Sequence, residues 1–249
     1  MDDVPSPLPA AVRLAWWGTA WLRGHVVADQ LIDAVVDTDA VHLLSFPDGA
    51  AEPLVTGLGV LRGAGADAFG AALPVEGDPV GLGGPRAFND AALEAGEAVV
   101  ALDAGGFPVQ GLVPVRVGAS VTWTALAAQR RQLPDVGDAD RLLRAELPAA
   151  ADTLARLEVA RWRPEVADRL LNLRHRARVT APPGVPARCA ELAARALQAL
   201  DIVELALDDD GGAITAHEAE SRRGALVPLG RAARAALVAA ASPEVWPPA

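Results

Sequence analysis

A change of pattern near residue 129 constrains the fold of this chain more than any other feature. Before that point, short apolar runs typical of strands alternate with stretches of helical spacing, and after it only helical patterns occur. Alternating strands and helices favour an α/β layer arrangement, whereas helices alone favour a bundle. The sequence therefore predicts an α/β N-terminal domain with a mixed sheet and helices, followed by an all-α helical bundle domain.

The segment between the two patterns has the composition of a linker. Its sequence from residue 129 to residue 138, QRRQLPDVGD, is polar and contains both Pro and Gly. We predict an acidic α/β domain over residues 1–129, a linker over residues 130–138 and an all-α domain over residues 139–249.

The charge of the chain changes at the same point. Residues 1–129 carry five Arg and fifteen acidic residues, a net charge of −10, whereas residues 130–249 carry seventeen Arg and seventeen acidic residues. Such a step is typical of two domains with different surfaces. Because binding to phosphates requires clustered cations, we expect no nucleic-acid partner for the acidic half.

A first helix is predicted over residues 10–22. Its apolar residues recur at helical spacing, and Trp16 lies outside the stripe that they form. The stripe consists of Leu14, Trp17, Gly18, Trp21 and Leu22. Three Trp could form an exposed ridge for a partner, but Trp is highly buried on average. We therefore expect this helix to be buried on the fold, with Gly18 permitting close packing.

The stretch with the strongest character of a site runs from residue 73 to residue 97, LPVEGDPVGLGGPRAFNDAALEAGE. It is predicted to leave a strand over residues 67–75 and to enter a helix over residues 89–95. Ligands of α/β proteins tend to bind beyond the carboxyl ends of strands. The candidate ligand-binding residues in this loop are Glu76, Asp78, Arg86, Asn89 and Asp90.

The same loop lacks the fingerprints of nucleotide binding. It has no Gly-Lys-Ser/Thr sequence, and Gly81-x-Gly83 lacks the third glycine of a dinucleotide motif. Its carboxylates suit Mg²⁺ better than a phosphate, with Asp78 and Asp90 as candidate metal ligands. A structural turn, capped by Asn89 or Asp90, is the plainer interpretation.

A basic cluster and one acidic residue lead to a structural prediction. Residues 161–178, RWRPEVADRLLNLRHRAR, contain six Arg and one His in an otherwise acidic protein. Glu204 falls on the apolar side of a helix predicted over residues 186–207. A buried carboxylate needs a partner, because its desolvation alone is costly. We predict a structural ion pair between Glu204 and an Arg of residues 161–178.

Several kinds of chemistry find no support in the sequence. Cys189 is the only Cys, which excludes an internal disulfide and a thiolate zinc cluster, and it is expected to be a packed thiol. The four His are far apart, and no Ser lies in a G-x-S-x-G setting. The N-terminus MDDVPSPLP is unlike a signal peptide, and no apolar run approaches the ~18 residues of a membrane span. We expect a soluble cytoplasmic protein with no membrane partner.

Three stretches of the chain, taken as a set, resemble an uncharacterised protein family of GC-rich bacteria. They are LPVEGDPVGLGGP at residues 73–85, ARWRPEVADRLLNLR at residues 160–174 and ALDIVELALDDDGGA at residues 199–213. The complete absence of Lys and Tyr is typical of a GC-rich genome. The resemblance covers nearly the whole chain and implies a stand-alone protein, but this family carries no assigned activity.

Two classes of function are compatible with these features. No nucleophile, base and orienting partner can be assembled from the sequence, so we expect a non-enzymatic soluble interaction or small-ligand-binding protein that acts through the interdomain cleft. Its partner would be a protein or a small molecule, and it would need no cofactor. The alternative is a small enzyme that uses the acidic loop over residues 76–90 with a divalent metal such as Mg²⁺. A homo-oligomer is compatible with either class.

Overall fold

The computed structural model describes residues 5–156, 179–208 and 216–247. Helices and strands alternate up to Leu126, and the described elements after it are all helical. In chain order the elements are α1 (Ala10–Leu22), α2 (Ala28–Val36), β1 (Val41–Ser45), β2 (Glu52–Pro53), α3 (Leu54–Gly63), β3 (Ala68–Ala72), α4 (Arg86–Ala95), β4 (Ala98–Leu102), β5 (Pro108–Val117), β6 (Ser120–Leu126), α5 (Val136–Arg156), α6 (Ala187–Asp208), α7 (Ala216–Ala240) and a final 3-10 turn (Pro243–Val245).

Six strands form one mixed sheet in the order β2-β1-β6-β5-β4-β3. Strands β1 and β6 are parallel, and the other neighbouring strands are antiparallel. A tight hairpin of Gly118 and Ala119 joins β5 to β6, and Gly118 has a φ of 59°, which glycine adopts without strain. The predicted mixed sheet with helices in the N-terminal region is confirmed.

Helix α1 is buried on more than one side. Trp16 is fully inaccessible to solvent, and its Nε1 donates a 3.0 Å hydrogen bond to the carbonyl of Ala240 at the end of α7. A Cβ at Gly18 would lie 2.7 Å from the ring of Phe69 in β3, so glycine permits close packing. The predicted burial of α1 is confirmed. Trp16 was predicted to lie outside the buried stripe of this helix. That prediction is wrong, because α1 packs between the sheet and the end of α7.

Both faces of the sheet near β3 and β4 are covered. Phe69 and Ala71 of β3 belong to the main core, whereas Ala68 and Ala72 pack with Phe88 of α4 in a second, smaller core. This division follows from the alternation of side chains along a strand. The helices of the N-terminal region therefore enclose this part of the sheet between them.

Three helices make up the described C-terminal region. Helix α7 packs against both α5 and α6, and buried apolar residues from all three join the main core. Pro148 lies inside α5 and Pro228 inside α7, and both helices continue through the Pro although each Pro removes one backbone hydrogen bond. None of the helices in residues 5–156, 179–208 and 216–247 is both long enough and apolar enough to cross a membrane.

Glu204 lies on α6 with its side chain exposed, so its predicted burial is wrong. Ala193 and Leu197 occupy the same face of the helix in projection and are buried. The helical wheel misleads here because it treats burial as uniform along a helix, whereas Glu204 lies in its last two turns. The Arg-rich stretch predicted to pair with it, residues 161–178, lies outside the described residues, so that ion pair stays a prediction.

Candidate ligand-binding cleft

One end of the sheet forms a wall of a cleft of about 930 Å³. The cleft lies where β4 ends and β5 begins, and the segment after β6 and the turn after α7 complete its walls. Its lining residues are Leu102, Ala104, Gly105, Gly106, Pro108, Arg130, Arg131, Gln132, Leu133, Glu244 and Val245. The cleft is therefore bounded by residues from the middle of the chain and by residues near the C-terminal end of its described part.

The turn that joins β4 to β5 holds its own conformation. Oδ1 of Asp103 accepts hydrogen bonds from the backbone N–H groups of Gly105 and Phe107, at 2.9 and 2.8 Å. The N–H of Gly106 donates to the carbonyl of Asp103, and Gly106 has a φ of 75°, which favours glycine. These amides are already satisfied within the turn, so side chains must supply most of the polar contacts to a ligand.

Arg131 fixes the walls of the cleft to one another. Its guanidinium is buried and donates to the carbonyls of Ala71 and Gly81, at 2.8 and 3.2 Å. It also donates to Oγ of Ser242 at 3.1 Å and lies 2.7 Å from Oε1 of Glu244. One side chain thus joins β3, the loop after it, the segment after β6 and the C-terminal turn.

Gly70 in β3 provides the space for this guanidinium. A Cβ at position 70 would overlap Nη2 of Arg131 and would lie 2.9 Å from Oε2 of Glu244. A glycine inside a strand often marks the close approach of another group. Gly70 was therefore the one signal in the sequence that could have pointed to the position of Arg131, which lies in the predicted linker.

Arg130 has a different environment from its neighbour. Its guanidinium carbon lies 5.4 Å from the centre of the Phe107 ring, and the Phe107 side chain is 55% exposed. Arg130 is itself exposed on the rim of the cleft. The ring attracts the positive charge of the guanidinium, and the Arg130 side chain has no hydrogen-bond or ion-pair partner among the described residues.

The loop over residues 73–85 lies against the C-terminal region. Asp78 forms an ion pair with Arg234 of α7, with Nε 3.0 Å and Nη2 2.9 Å from its Oδ2. Arg231 of the same helix donates to the carbonyl of Gly77 at 3.2 Å. A Cβ at Gly83 would lie 2.6 Å from the backbone oxygen of Arg130. These contacts are those of a loop that joins two parts of the fold.

The structure does not bring the predicted site residues together around a cavity. Glu76 is exposed, and Asp78 is partly buried against α7. Arg86 and Asp90 form a surface ion pair of 3.2 Å between their side chains, which are 93% and 63% exposed. Oδ1 of Asn89 accepts a 3.0 Å hydrogen bond from the N–H of Gly84 and stabilises the turn. None of these five residues lines the cleft.

The two candidate Mg²⁺ ligands do not lie together at one site, and each forms an ion pair with an arginine. Asp78 pairs with Arg234, and Asp90 pairs with Arg86. Within the described ranges, no group of three or more His, Cys, Asp or Glu side chains could hold a metal ion. The use of these two carboxylates for Mg²⁺ stays a prediction.

A buried polar network lies near the start of β1. Nε2 of His42 donates a 2.8 Å hydrogen bond to Asp39, and Nδ1 of His42 accepts one of 3.1 Å from the indole N–H of Trp123. This pairing fixes a neutral imidazole with its proton on Nε2. Arg116 donates two hydrogen bonds to Asp39, at 2.7 and 3.2 Å, while buried Arg13 lies 3.9 Å from it.

The pKa values in this network follow from burial and pairing. Burial lowers the pKa of His42, although the hydrogen bond to Asp39 acts in the opposite direction. Burial would raise the pKa of Asp39, but hydrogen bonds from Arg116 and His42 outweigh it and lower the pKa. All polar atoms of His42 have protein partners, which is typical of a structural histidine. The network lies outside the lining of the cleft.

Two other titratable groups are structural in the same way. Burial raises the pKa of Glu97, whose Oε2 accepts a 2.8 Å hydrogen bond from the N–H of Ala11 in the first turn of α1. Burial also raises the pKa of Cys189 to about 11, so its thiol stays protonated at neutral pH. The prediction of a packed thiol is confirmed by its complete burial.

Two family models match the chain, and both bear the description Rv1486c-like protein. The model of the N-terminal domain matches residues 11–139, and that of the C-terminal domain matches residues 137–238. The chain belongs to the Rv1486c-like protein family. The resemblance to an uncharacterised family is confirmed to this extent, and its origin in GC-rich bacteria stays a prediction.

Most residues that line the cleft belong to the N-terminal domain of the family. Its residues from 102 to 133 lie in the Rv1486c-like N-terminal domain, whereas residues 244 and 245 lie beyond the match to the C-terminal domain. No curated protein and no solved structure matches the chain. The cleft must therefore be interpreted from its own geometry.

Proposed function

We propose that this Rv1486c-like protein is a non-enzymatic protein that binds a small molecule in the cleft beside β4 and β5. The observation that carries the proposal is the volume of about 930 Å³, bounded by two arginines, one carboxylate and several apolar residues. Ligand sites are commonly clefts of about 300–1,000 Å³ with a few convergent polar groups among apolar ones. The proposal requires no cofactor.

We also propose the division into an acidic α/β domain over residues 1–129, a linker and an all-α bundle domain over residues 139–249. The two family models meet between residues 137 and 139, which supports a boundary in this region. The packing of α5 and α6 on α7 supports a bundle. On this division the cleft lies between the domains, because the C-terminal turn closes one side of it.

The alternative function, an enzyme with Mg²⁺ in the loop over residues 76–90, is less well supported. A deep pocket lined by Glu76, Asp78, Arg86 and Asn89 would favour it, and these residues instead lie on the surface or against α7. The arginine partners of both candidate metal ligands also disfavour a cation there, because binding would require breaking an existing ion pair. A cytoplasmic location and a homo-oligomer stay predictions.

A fragment screen by ligand-detected NMR tests the proposed function. Ala104 is exposed and lines the cleft, so Ala104→Trp should occupy the space and abolish binding of fragments that bind the wild type. Ala87 is exposed on α4 and lies outside the cleft lining, so Ala87→Trp adds the same indole as a control. Fragments that bind all three proteins alike, or a screen without any binder, would overturn the proposal.

A further inference from the structure

We propose that the ligand of this cleft is an organic oxyanion with a flat apolar body, and that Arg130 binds its carboxylate or phosphate group. This inference rests on the proposed function and adds the chemical class of the ligand and the residue that selects it. Its basis is the contrast between two adjacent arginines, of which one has its hydrogen bonds satisfied and the other does not.

The donors of Arg131 are occupied. They contact two carbonyls, a hydroxyl and a carboxylate, and the Arg131 side chain is only 2% exposed. Arg130, by comparison, contacts the face of the Phe107 ring and forms no ion pair within the described ranges of the chain. Its N–H groups match the geometry of a carboxylate or phosphate, which arginine binds through two parallel hydrogen bonds.

The charges that line the cleft favour an anion. Two arginines and one glutamate line it, and Glu244 is paired with Arg131 at 2.7 Å. Among the lining side chains, Arg130 is therefore the one positive charge without an acidic partner. Asp103 lies next to the cleft, but its Oδ1 accepts the amides of Gly105 and Phe107, and the residue does not contribute to the lining.

The remaining lining residues specify the body of the ligand. Pro108, Leu133 and Val245 present apolar surface, and the two glycines of the turn leave the cleft open beside them. Phe107 does not line the cleft, but it is 55% exposed next to it, and Arg130 lies over one face of its ring. Flat apolar groups stack on such surfaces, so an aromatic carboxylate or aryl phosphate fits better than a small inorganic anion.

Titration with benzoate, benzamide and phenyl phosphate tests this inference. Benzoate and benzamide have nearly the same shape, and only benzoate is charged. The wild type should bind benzoate and phenyl phosphate at least about tenfold more tightly than benzamide, as expected for hydrogen bonds to a charged group. This preference should weaken with added salt, because the rim is open to solvent.

Two matched variants identify the residue responsible. Arg130→Gln should remove the preference for the anion and leave the affinity for benzamide unchanged. Arg62 stacks on Trp21 at the same 5.4 Å on another surface, so Arg62→Gln removes an equal charge and an equal ring contact. Equal anion preference in both variants, or no preference in the wild type, would overturn the inference while leaving the proposed function intact.

A comparison of phenyl phosphate with benzoate shows which acidic group the cleft prefers. Tighter binding of phenyl phosphate than of benzoate would assign the site to a phosphate ester, and the reverse would assign it to a carboxylate; either result supports the inference. Stronger competition by inorganic phosphate alone than by either aromatic anion would contradict the flat apolar body. Loss of benzamide binding in Ala104→Trp serves as the separate check on the cleft itself.

Discussion

Replacing Arg131 with Met would remove the charged group that joins distant parts of the chain. Its guanidinium binds the carbonyls of Ala71 and Gly81 and the side chains of Ser242 and Glu244. Met retains a long, flexible apolar side chain that fills irregular space, so the substitution mainly deletes charge and hydrogen bonds. The expected result is a marked loss of stability with little change in the core.

The magnitude follows from the burial of the two charges. Removing one partner of a buried ion pair costs about 3–5 kcal/mol of unfolding free energy, because the other charge is left desolvated. The side chain of Glu244 is 17% exposed, whereas that of Arg131 is 2% exposed. Water can therefore reach the remaining carboxylate, and we place the loss at the lower end, about 3 kcal/mol. An ordinary domain has about 5–15 kcal/mol in total.

Urea unfolding, followed by Trp fluorescence and far-UV circular dichroism, measures this loss. Arg141→Met is the matched control, because the Arg141 side chain is 73% exposed beside Asp138 and should contribute less than about 1 kcal/mol. The double variant Arg131→Met/Glu244→Met should recover part of the loss, since no charge remains desolvated. A loss for Arg131→Met no larger than that of the control would refute the reasoning.

Three further predictions concern other parts of the structure. Gly70→Ala should destabilise the protein, because its Cβ would overlap the guanidinium beside it, whereas Gly59→Ala meets no atom within 4 Å and should be neutral or stabilising in urea unfolding. His42 has a lowered pKa in the folded protein, so below about pH 6.5 the unfolded chain binds a proton more readily and the wild type loses stability. His42→Gln should therefore reduce this loss. An unchanged dependence of the unfolding free energy on pH would contradict the prediction. Asp78→Ala should lower the Tm by leaving Arg234 unpaired, and MgCl₂ should shift neither protein. A Mg²⁺-dependent rise in the wild-type Tm that Asp78→Ala abolishes would instead support the enzyme.

The strands and the mixed sheet were predictable because their signals are local. Apolar alternation and turn residues lie within a few positions of one another, and β6 shows this pattern in its alternating burial. The interpretation of the loop over residues 73–85 as a structural turn also came from local signals, namely its Gly and Pro residues. Burial around α1 was less predictable, because Trp16 contacts the end of α7, which lies 224 residues away in sequence.

The cleft could not be located from the sequence for the same physical reason. Arg131 lies in a polar stretch with the composition of a linker, and its partners lie 50 to 113 residues away. Glu204 shows the converse error, since a projected apolar face does not reveal where along a helix its neighbours stop. Only Gly70 carried a readable signal, because a glycine within a strand indicates that another group approaches closely.

Two adjacent arginines in the segment after β6 have different roles. Arg131 stabilises the fold, and Arg130 is the residue that we propose binds the ligand. Arg131 enters the protein and satisfies its donors there, whereas Arg130 stacks on an exposed ring at the rim of the cleft. The hydrogen bonds of Arg131 stabilise the folded chain, whereas the exposed donors of Arg130 are open to solvent and are the ones we propose for the ligand. Because both belong to one backbone segment, the contacts that hold Arg131 also fix the position from which Arg130 can meet a ligand. The predicted linker therefore also forms a wall of the cleft, and under our proposal Arg130 binds the ligand there while Arg131 holds the segment in place.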